Sequence, residues 1–463
     1  MGYFSGNIKN EARFMANFLL RDNFVCNRML NELRRHEQFS LEELHALSRR
    51  LLLRTLKIAT KRIPYYRNIK VNCDENDVEE FLVRKLPILM KEDLLSKRTL
   101  LYPHHGRPLP WTIRGETGGT TGAAVQFFRS FSSVLWQNAF LKRQWTWAGI
   151  EDGMPRAVLR GGIIVPVDRK KPPFWYLNRY HNQLLLSSLH VKQDTVDYFV
   201  DALDDFAPAM IEAYPSVAYE LARYMVKRNR YVTIPYIFTG SEQLYEHQRK
   251  LIEERFRGRI MDHYGMGERV TFATECEHGN LHLNTDHSYT EIVNDSGEPT
   301  DDYGYIVGTT FHNMLMPLVR HKMTDQSKWK KGDCACGRQY PMIERVRGRI
   351  EDIILGSAGN DIGPMLFRVL YGVDNIEKAQ IAQVGPKLLE IRIVPLPGFT
   401  VPDRELLVNN LHKFVDPEMK AVVAVVSDIP RTASGKYRSI VNEYIDGARE
   451  RLRDNDLKPT STS

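Results

Sequence analysis

A chain of 463 residues has room for two or three domains and a sizeable core. With 43% hydrophobic and 26% charged residues and a mean hydropathy of −0.39, its composition is that of a soluble globular protein, and with no apolar run of spanning length no transmembrane helix is expected. The net charge of +7 is spread over pairs such as Arg34-Arg35 and Lys170-Lys171, with no aromatic-interleaved stripe; this argues against nucleic acid and leaves anionic substrates or peripheral contact with a membrane surface.

Met1-Gly2-Tyr3-Phe4 opens a mixed polar segment, which is neither a secretory signal nor a good myristoylation match. Residues 1–100 read as helical. Ser40 is a plausible N-cap for a helix starting at Leu41, and apolar residues keep helical spacing to Ile63, where Pro64 ends the pattern. From 101 to 348, short β-rich runs alternate with helices. Strands are expected over 109–114, 125–128, 157–160, 209–213 and 259–261, with a further β-rich run over 161–167 and a buried strand starting at Ile237. Helices are expected over 195–206, 216–228 (capped by Ser216) and 245–256. This alternation predicts an α/β, multi-layered large domain. Beyond Gly348, strands near 381–384, 388–394 and 421–426 flank a helix over 403–414, giving a small α+β domain over 349–453. The polar tail 454–463 reads as disordered.

Two stretches carry chemistry. Thr117-Gly118-Gly119-Thr120-Thr121-Gly122 lies between two extended runs. Its glycines free backbone N–H groups to approach an anion, and its threonines add hydroxyl donors, so the loop suits polyphosphate. A ligand-free turn explains it equally well. It is not a Walker A loop, since no Gly-Lys-Ser/Thr ending is present. The second stretch is a divided set, Cys276-x-His278 and Cys334-x-Cys336, each followed by glycine (Gly279, Gly337). Three thiolates and one imidazole suit a closed, tetrahedral, structural Zn²⁺ site; independent buried cysteines are the alternative. Five cysteines at uneven spacing do not form a disulfide framework, which favours a reducing compartment, the cytoplasm.

The Thr/Gly loop resembles the phosphate-binding motif of the adenylate-forming superfamily, with Ala124 and Val125 where Pro and Lys usually follow. That departure is similar to the phenylacetate-CoA ligase-like and capsule-biosynthesis (CapK-like) branch. Further partial matches follow in the same order as far as residue 436. The resemblance implies that Tyr214-Pro215-Ser216, with Tyr264 and Gly265, walls the acid pocket, and that Ser241-Glu242-Gln243 lies against the nucleotide base. It implies that Tyr264 stacks on adenine, that Glu268 holds Mg²⁺ and that Asp325 accepts from the ribose hydroxyls. Gly267 stands where the family has Thr, which removes one α-phosphate contact. Arg349 would contact the nucleotide and Glu351 would be the hinge. Lys436, in Ser434-Gly435-Lys436, would neutralise charge at the α-phosphate together with the Thr120 loop.

The implied activity is ATP-dependent conversion of a carboxylic acid to an acyl-adenylate, then acyl transfer. The acceptor is coenzyme A, or an amine or hydroxyl in surface-polysaccharide synthesis, because residues 353–364 resemble the capsule branch. The alternative is a catalytically degenerate scaffold that binds nucleotide or a partner.

Overall fold

The computed structural model describes residues 15, 23–103, 112–116, 126–160, 164–347, 354–357, 362–373, 375–430 and 438–444. The chain divides into two compact units, Met1–Arg347 and Gly348–Ser463.

The first unit opens with helices α1 (Phe24–His36), α2 (Leu41–Arg62), α3 (Val78–Lys85) and α4 (Lys91–Ser96). Ser40 and Glu43 form a reciprocal capping box on α2, so two otherwise orphan N–H groups are satisfied where the apolar periodicity begins. Pro64 stops this helix one residue after its C-cap, Ile63. Strands β1 (Ile113–Glu116) and β2 (Gln126–Arg129) pair antiparallel, and α5 (Phe131–Trp147) follows directly. The arms of the hairpin are thus those of the Thr/Gly loop, while the loop itself lies outside the described residues.

A ten-stranded sheet forms the centre. Its strands are β3 (Arg156–Leu159), β4 (Trp175–Asn178), β5 (Gln183–Leu186), β6 (Met210–Ala213), β7 (Tyr236–Gly240), β8 (Arg259–Gly265), β9 (Phe272–Glu275), β10 (Leu281–Leu283), β14 (Trp329–Lys330) and β15 (Met342–Ile343). The order is β14-β15-β10-β9-β8-β7-β6-β3-β5-β4, and β5, β3, β6, β7 and β8 run parallel. Helices α6 (Val196–Phe206), α7 (Pro215–Lys227) and α8 (Glu246–Phe256) provide the parallel crossovers. They cover one face through a core that includes Ile211, Ala213, Leu221, Ile237, Ile252 and Ile260. The opposite face meets α5 through Trp145, Trp147, Met210, Phe238 and Met261. Because successive strand residues alternate faces, each strand divides its side chains between these two layers.

A three-stranded antiparallel sheet, β11 (Ser288–Val293), β12 (Gly304–Thr310) and β13 (His321–Ser327), completes the unit. The second unit holds β16 (Ile376–Gly385), β17 (Leu388–Pro395), α9 (Val401–Phe414), β18 (Lys420–Val425) and β19 (Ile440–Asn442), in the sheet order β18-β17-β16-β19. The α/β class expected from the alternation is the class observed.

Three local expectations need correction. Residues 164–167 are turn and bend rather than strand, and the β-structure of this region lies in β4 and β5. Strand β8 continues through Gly265 instead of stopping at Met261, since β7 and β9 pair with its last residues. Ser216 does not cap α7. Tyr214 is the N-cap, Pro215 takes the first turn, and the Ser216 amide donates to Glu242 Oε2 at 3.0 Å. A carboxylate from the next crossover therefore supplies the cap, which also suits the positive end of the helix.

Among the described residues, no helix is long and apolar enough to cross a membrane.

Candidate functional site

The parallel strands end together, so Arg160, Tyr214, Ser241 and Gly265 follow or close adjacent carboxyl termini of one sheet, where ligands of open α/β folds collect. Tyr264 and Asp325, far apart in sequence, meet here: the phenol donates to Asp325 Oδ2 at 2.7 Å. Arg129 at the end of β2 stacks on Phe127, 4.5 Å from the ring centroid, and donates to the Gly267 carbonyl at 2.5 Å. The hairpin arms that carry the Thr/Gly loop are thereby tied to the turn bearing Glu268. Gly115 is required at this spot, because a Cβ would run into the Phe127 ring.

Ser241 sits at φ +68°, turning the chain sharply after β7 and delivering Glu242 to α7, with Gln243 next in the same loop. Asp262, on the opposite face of β8 from its neighbour His263, accepts from Thr239 Oγ1 at 2.6 Å; burial pushes its carboxyl up to about 6. Thr117 to Gly122, Arg349, Glu351 and Lys436 lie outside the described residues.

The sheet also gathers a set of side chains that could hold a metal ion, on its β9–β10 side. Cys276, Cys334, Cys336 and His282 place four ligand atoms within 4.8 Å of one another. The imidazole is therefore that of His282, and not that of His278. Cys276 closes β9 and the chain reverses at once, with the Gly279 amide donating to the Cys276 carbonyl at 2.9 Å and Gly279 at φ +76°. His278 rides exposed on this turn, and only its backbone N–H reaches Cys276 Sγ, at 3.4 Å. Strand β10 then returns antiparallel and carries the fully buried His282 back beside Thr274. The Cys334 turn has the same design, with Gly337 at φ +77° and its amide 3.0 Å from the Cys334 carbonyl.

The donor set fits zinc. Bonds of about 2.3 Å in a tetrahedron give ligand–ligand edges of about 3.8 Å. The observed Cys276 Sγ–Cys334 Sγ and Cys336 Sγ–His282 Nε2 separations are 3.6 and 3.3 Å. His282 Nδ1 lies 3.0 Å from the Tyr340 carbonyl, which can only accept, so the ring proton resides on Nδ1 and Nε2 is left to ligate. Burial pushes the Cys276 thiol up to about 12. At Cys334 burial acts the same way but is outweighed by hydrogen bonds from the Cys336 amide and the Asn280 side chain, and the thiol is lowered. Four protein donors leave no open position, as in a structural site.

Behind Tyr340 lies a buried polar network. Arg143 of α5 donates to Asp286 at 2.6 and 3.0 Å, to the Tyr340 hydroxyl at 2.7 Å, and to Asn284. His36 of α1 reaches Asp286 at 2.9 Å. Tyr340 thus orients His282 with its carbonyl and joins the network with its hydroxyl.

Residues 354–443 match the CapK C-terminal domain family. CapK of Staphylococcus aureus is 27% identical over 299 residues, covering 64% of this chain and 65%, slightly under two thirds, of its own length. Phenylacetate-coenzyme A ligase of Thermus thermophilus is 23% identical over 451 residues, covering 88% of this chain and 98% of its own. Among solved structures, a 2-hydroxyisobutyryl-CoA ligase in the postadenylation state with 2-HIB-AMP superposes with a TM-score of 0.66 at 18% identity, covering 91% of this chain and 94% of that one. The same ligase with 2-HIB-AMP and CoA in the thioesterification state gives 0.54 at 17% identity, with the same coverage. The chain therefore has the fold of the adenylate-forming CoA ligases, with CapK and phenylacetate-CoA ligases as relatives. The CapK-type domain falls wholly in the second unit, over β16–β19 and α9.

Proposed function

We propose that this chain activates a carboxylic acid with ATP and transfers the acyl group to an acceptor. A carboxylate oxygen attacks the α-phosphorus and pyrophosphate leaves. An acceptor nucleophile then attacks the acyl carbonyl and AMP leaves. The single observation that carries this reading is the Tyr264–Asp325 pair, at the strand ends beside the arms of the Thr/Gly hairpin. It is supported by a fold shared with ligases solved with acyl-AMP.

Tyr264 would face adenine with Ser241, Glu242 and Gln243, and Asp325 would take the ribose hydroxyls. The Thr117–Gly122 loop would bind phosphate, with Glu268 as the carboxylate ligand for Mg²⁺. Arg349, the hinge Glu351 and Lys436 come from the second unit, and Lys436 would offset charge at the α-phosphate. Zinc, when bound, would brace the β9–β10 side of the sheet and take no part in the chemistry. Free cysteines agree with work in a reducing cytoplasm. Gly267, which lacks the family's threonine hydroxyl, favours a second reading as a nucleotide-binding scaffold without turnover.

Acid-dependent ATP–pyrophosphate exchange separates the two. Lys436→Ala is expected to lower exchange at least about 100-fold, the usual size of losing one charge-stabilising group. Unchanged exchange would remove Lys436 from the chemistry, and no exchange with any acid would leave the scaffold. Thioester formation with coenzyme A, against hydroxamate formation from hydroxylamine without a CoA requirement, distinguishes the acceptors.

A further inference from the structure

The α5 face of the central sheet changes character along its strands. Toward the amino ends it is apolar, with Met210, Phe238 and Met261 buried against Trp145 and Trp147. Two residues further along each strand, alternation returns the chain to the same face, and there stand Glu212, Gly240 and His263. Arg160, just beyond β3 and on the same face as Val158, pairs with Glu212 through its guanidinium. Glu212 is 6% exposed, whereas the Arg160 side chain keeps 28%. The row therefore runs from a buried carboxylate to a partly open edge.

That edge is where strand order reverses. From β3 the chain builds outward to β5 on one side, then returns to place β6, β7 and β8 on the other. Crevices at such reversals, outside the carboxyl ends of parallel strands, are where open α/β sheets take ligands.

His263 is positioned for this row by Gly240. A Cβ on residue 240 would lie 2.5 Å from Cε1 and Nε2 of the ring, so only glycine lets the imidazole lie across β7 toward Glu212. Nε2 is on the Gly240 side, next to the Thr239 backbone group that hydrogen-bonds the ring. Nδ1 is shielded from solvent and has no hydrogen-bond partner among the described residues; the same holds for Ser216 Oγ. Burial, and then the Arg160 charge, holds the imidazole at about 3, so it is neutral at pH 7. With its proton toward Thr239, Nδ1 presents a lone pair. A buried acceptor left unmet is costly, and a polar ligand would recover that cost.

We propose that Arg160, Glu212, Ser216 and His263 form the acyl-side pocket of this chain and select a short acid carrying a hydroxyl or amino group, in preference to an aryl or plain alkyl acid. Glu212 Oε atoms and His263 Nδ1 accept from that substituent, Ser216 Oγ completes the contact, and Arg160 holds Glu212 in place through its guanidinium. His263 stands one residue before Tyr264 on β8, so the two side chains leave the same strand end on opposite faces, the acid's substituent toward one and the nucleoside toward the other. The inference rests on the acid-activating reading above.

The test is ATP–pyrophosphate exchange with the full chain and a panel of hydroxy and amino acids of two to six carbons, the matched unsubstituted acids, and phenylacetate. A hydroxy or amino acid is expected to give the highest kcat/KM. His263→Phe should raise KM for that acid about tenfold or more, leave KM for ATP within about twofold, and barely alter the matched unsubstituted acid. His263→Asn, which keeps an acceptor, should restore much of the loss. Ser216→Ala supplies an independent variant should the aromatic replacement not fold. Highest activity with phenylacetate or an alkyl acid overturns the pocket assignment while sustaining acid activation, as does an unchanged KM in both His263→Phe and Ser216→Ala. Exchange with none of the acids overturns both.

Discussion

At the scale of single residues, the distinction between His278 and His282 decides which imidazole could complete a metal site with the three cysteines. Both are histidines near Cys276, yet one rides an exposed turn and the other is buried with Nδ1 committed to the Tyr340 carbonyl. His282→Ala should therefore abolish tight binding of one zinc per chain, read by metal analysis after dialysis against a chelator. His278→Ala should retain it, because its contribution to Cys276 is a backbone N–H that alanine also has. Loss of zinc in His278→Ala with retention in His282→Ala would reverse the ligand assignment. A comparable argument applies to Tyr264 and Asp325. Tyr264→Phe removes the hydroxyl that fixes Asp325 and keeps the ring, so KM for ATP should rise about three- to tenfold, the worth of one hydrogen bond to a charged group shared between the two partners.

At the scale of elements, the buried network joins α1, α5, the turn after β10 and the segment before β15. Arg143 and Asp286 are each almost fully buried. Arg143 holds the Asp286 carboxyl well below the usual carboxylate range against the opposing effect of burial. Asp286→Leu leaves a buried guanidinium uncompensated and should destabilise by about 3–5 kcal/mol, read by urea denaturation. The double variant Arg143→Met/Asp286→Leu should lose much less than the sum of the singles, since it removes both charges together. Additive losses would mean that the two residues do not act as a pair.

This network also shows why the sequence was legible in some places and opaque in others. The start of α2 could be read because Ser40 and Glu43 are three residues apart and satisfy each other locally. The crossover helices and parallel strands could be read because periodicity is a local property. Arg143 and Asp286 are 143 positions apart, and His36 and Asp286 are 250 apart, so no local pattern joins them. Likewise Cys276-x-His278 imitates a ligand pair by spacing, whereas the choice of His282 depends on β10 pairing back onto β9. The one cue was a histidine between two leucines, in Leu281-His282-Leu283, where an apolar strand face turns inward. Arg160, Glu212 and His263 carry no local signal for the same reason: each is unremarkable until four strands align.

At the scale of the whole molecule, histidine burial sets a pH dependence that belongs to the first unit. Burial, the largest cause at each, holds His247, His312 and His321 at about 4, His263 at about 3 and His287 well below its ordinary value. In the unfolded chain each binds a proton near pH 6.5, so below that pH the unfolded state takes up protons that the folded state refuses. Stability is thus complete above about pH 6.5 and falls as pH drops toward about 4, by about 1.4 kcal/mol per pH unit for each such group. Asp262, raised to about 6, and Glu37, Asp204 and Glu291, also raised by burial, act in the opposite direction, but they are outnumbered once His190 and His282, likewise lowered by burial, join the five imidazoles. Asp286, whose folded value is depressed, loses its contribution only below the ordinary carboxylate range, so it leaves this window untouched. All six tryptophans lie before residue 348, whereas the second unit carries a single histidine, His412. A melt followed by tryptophan fluorescence should therefore fall by several degrees between pH 7 and pH 5. Hydrogen exchange over β16–β18 should change far less across the same interval. A tryptophan melt that is flat from pH 7 to pH 5 would mean that these imidazoles gain protons as readily in the folded chain as in the unfolded one.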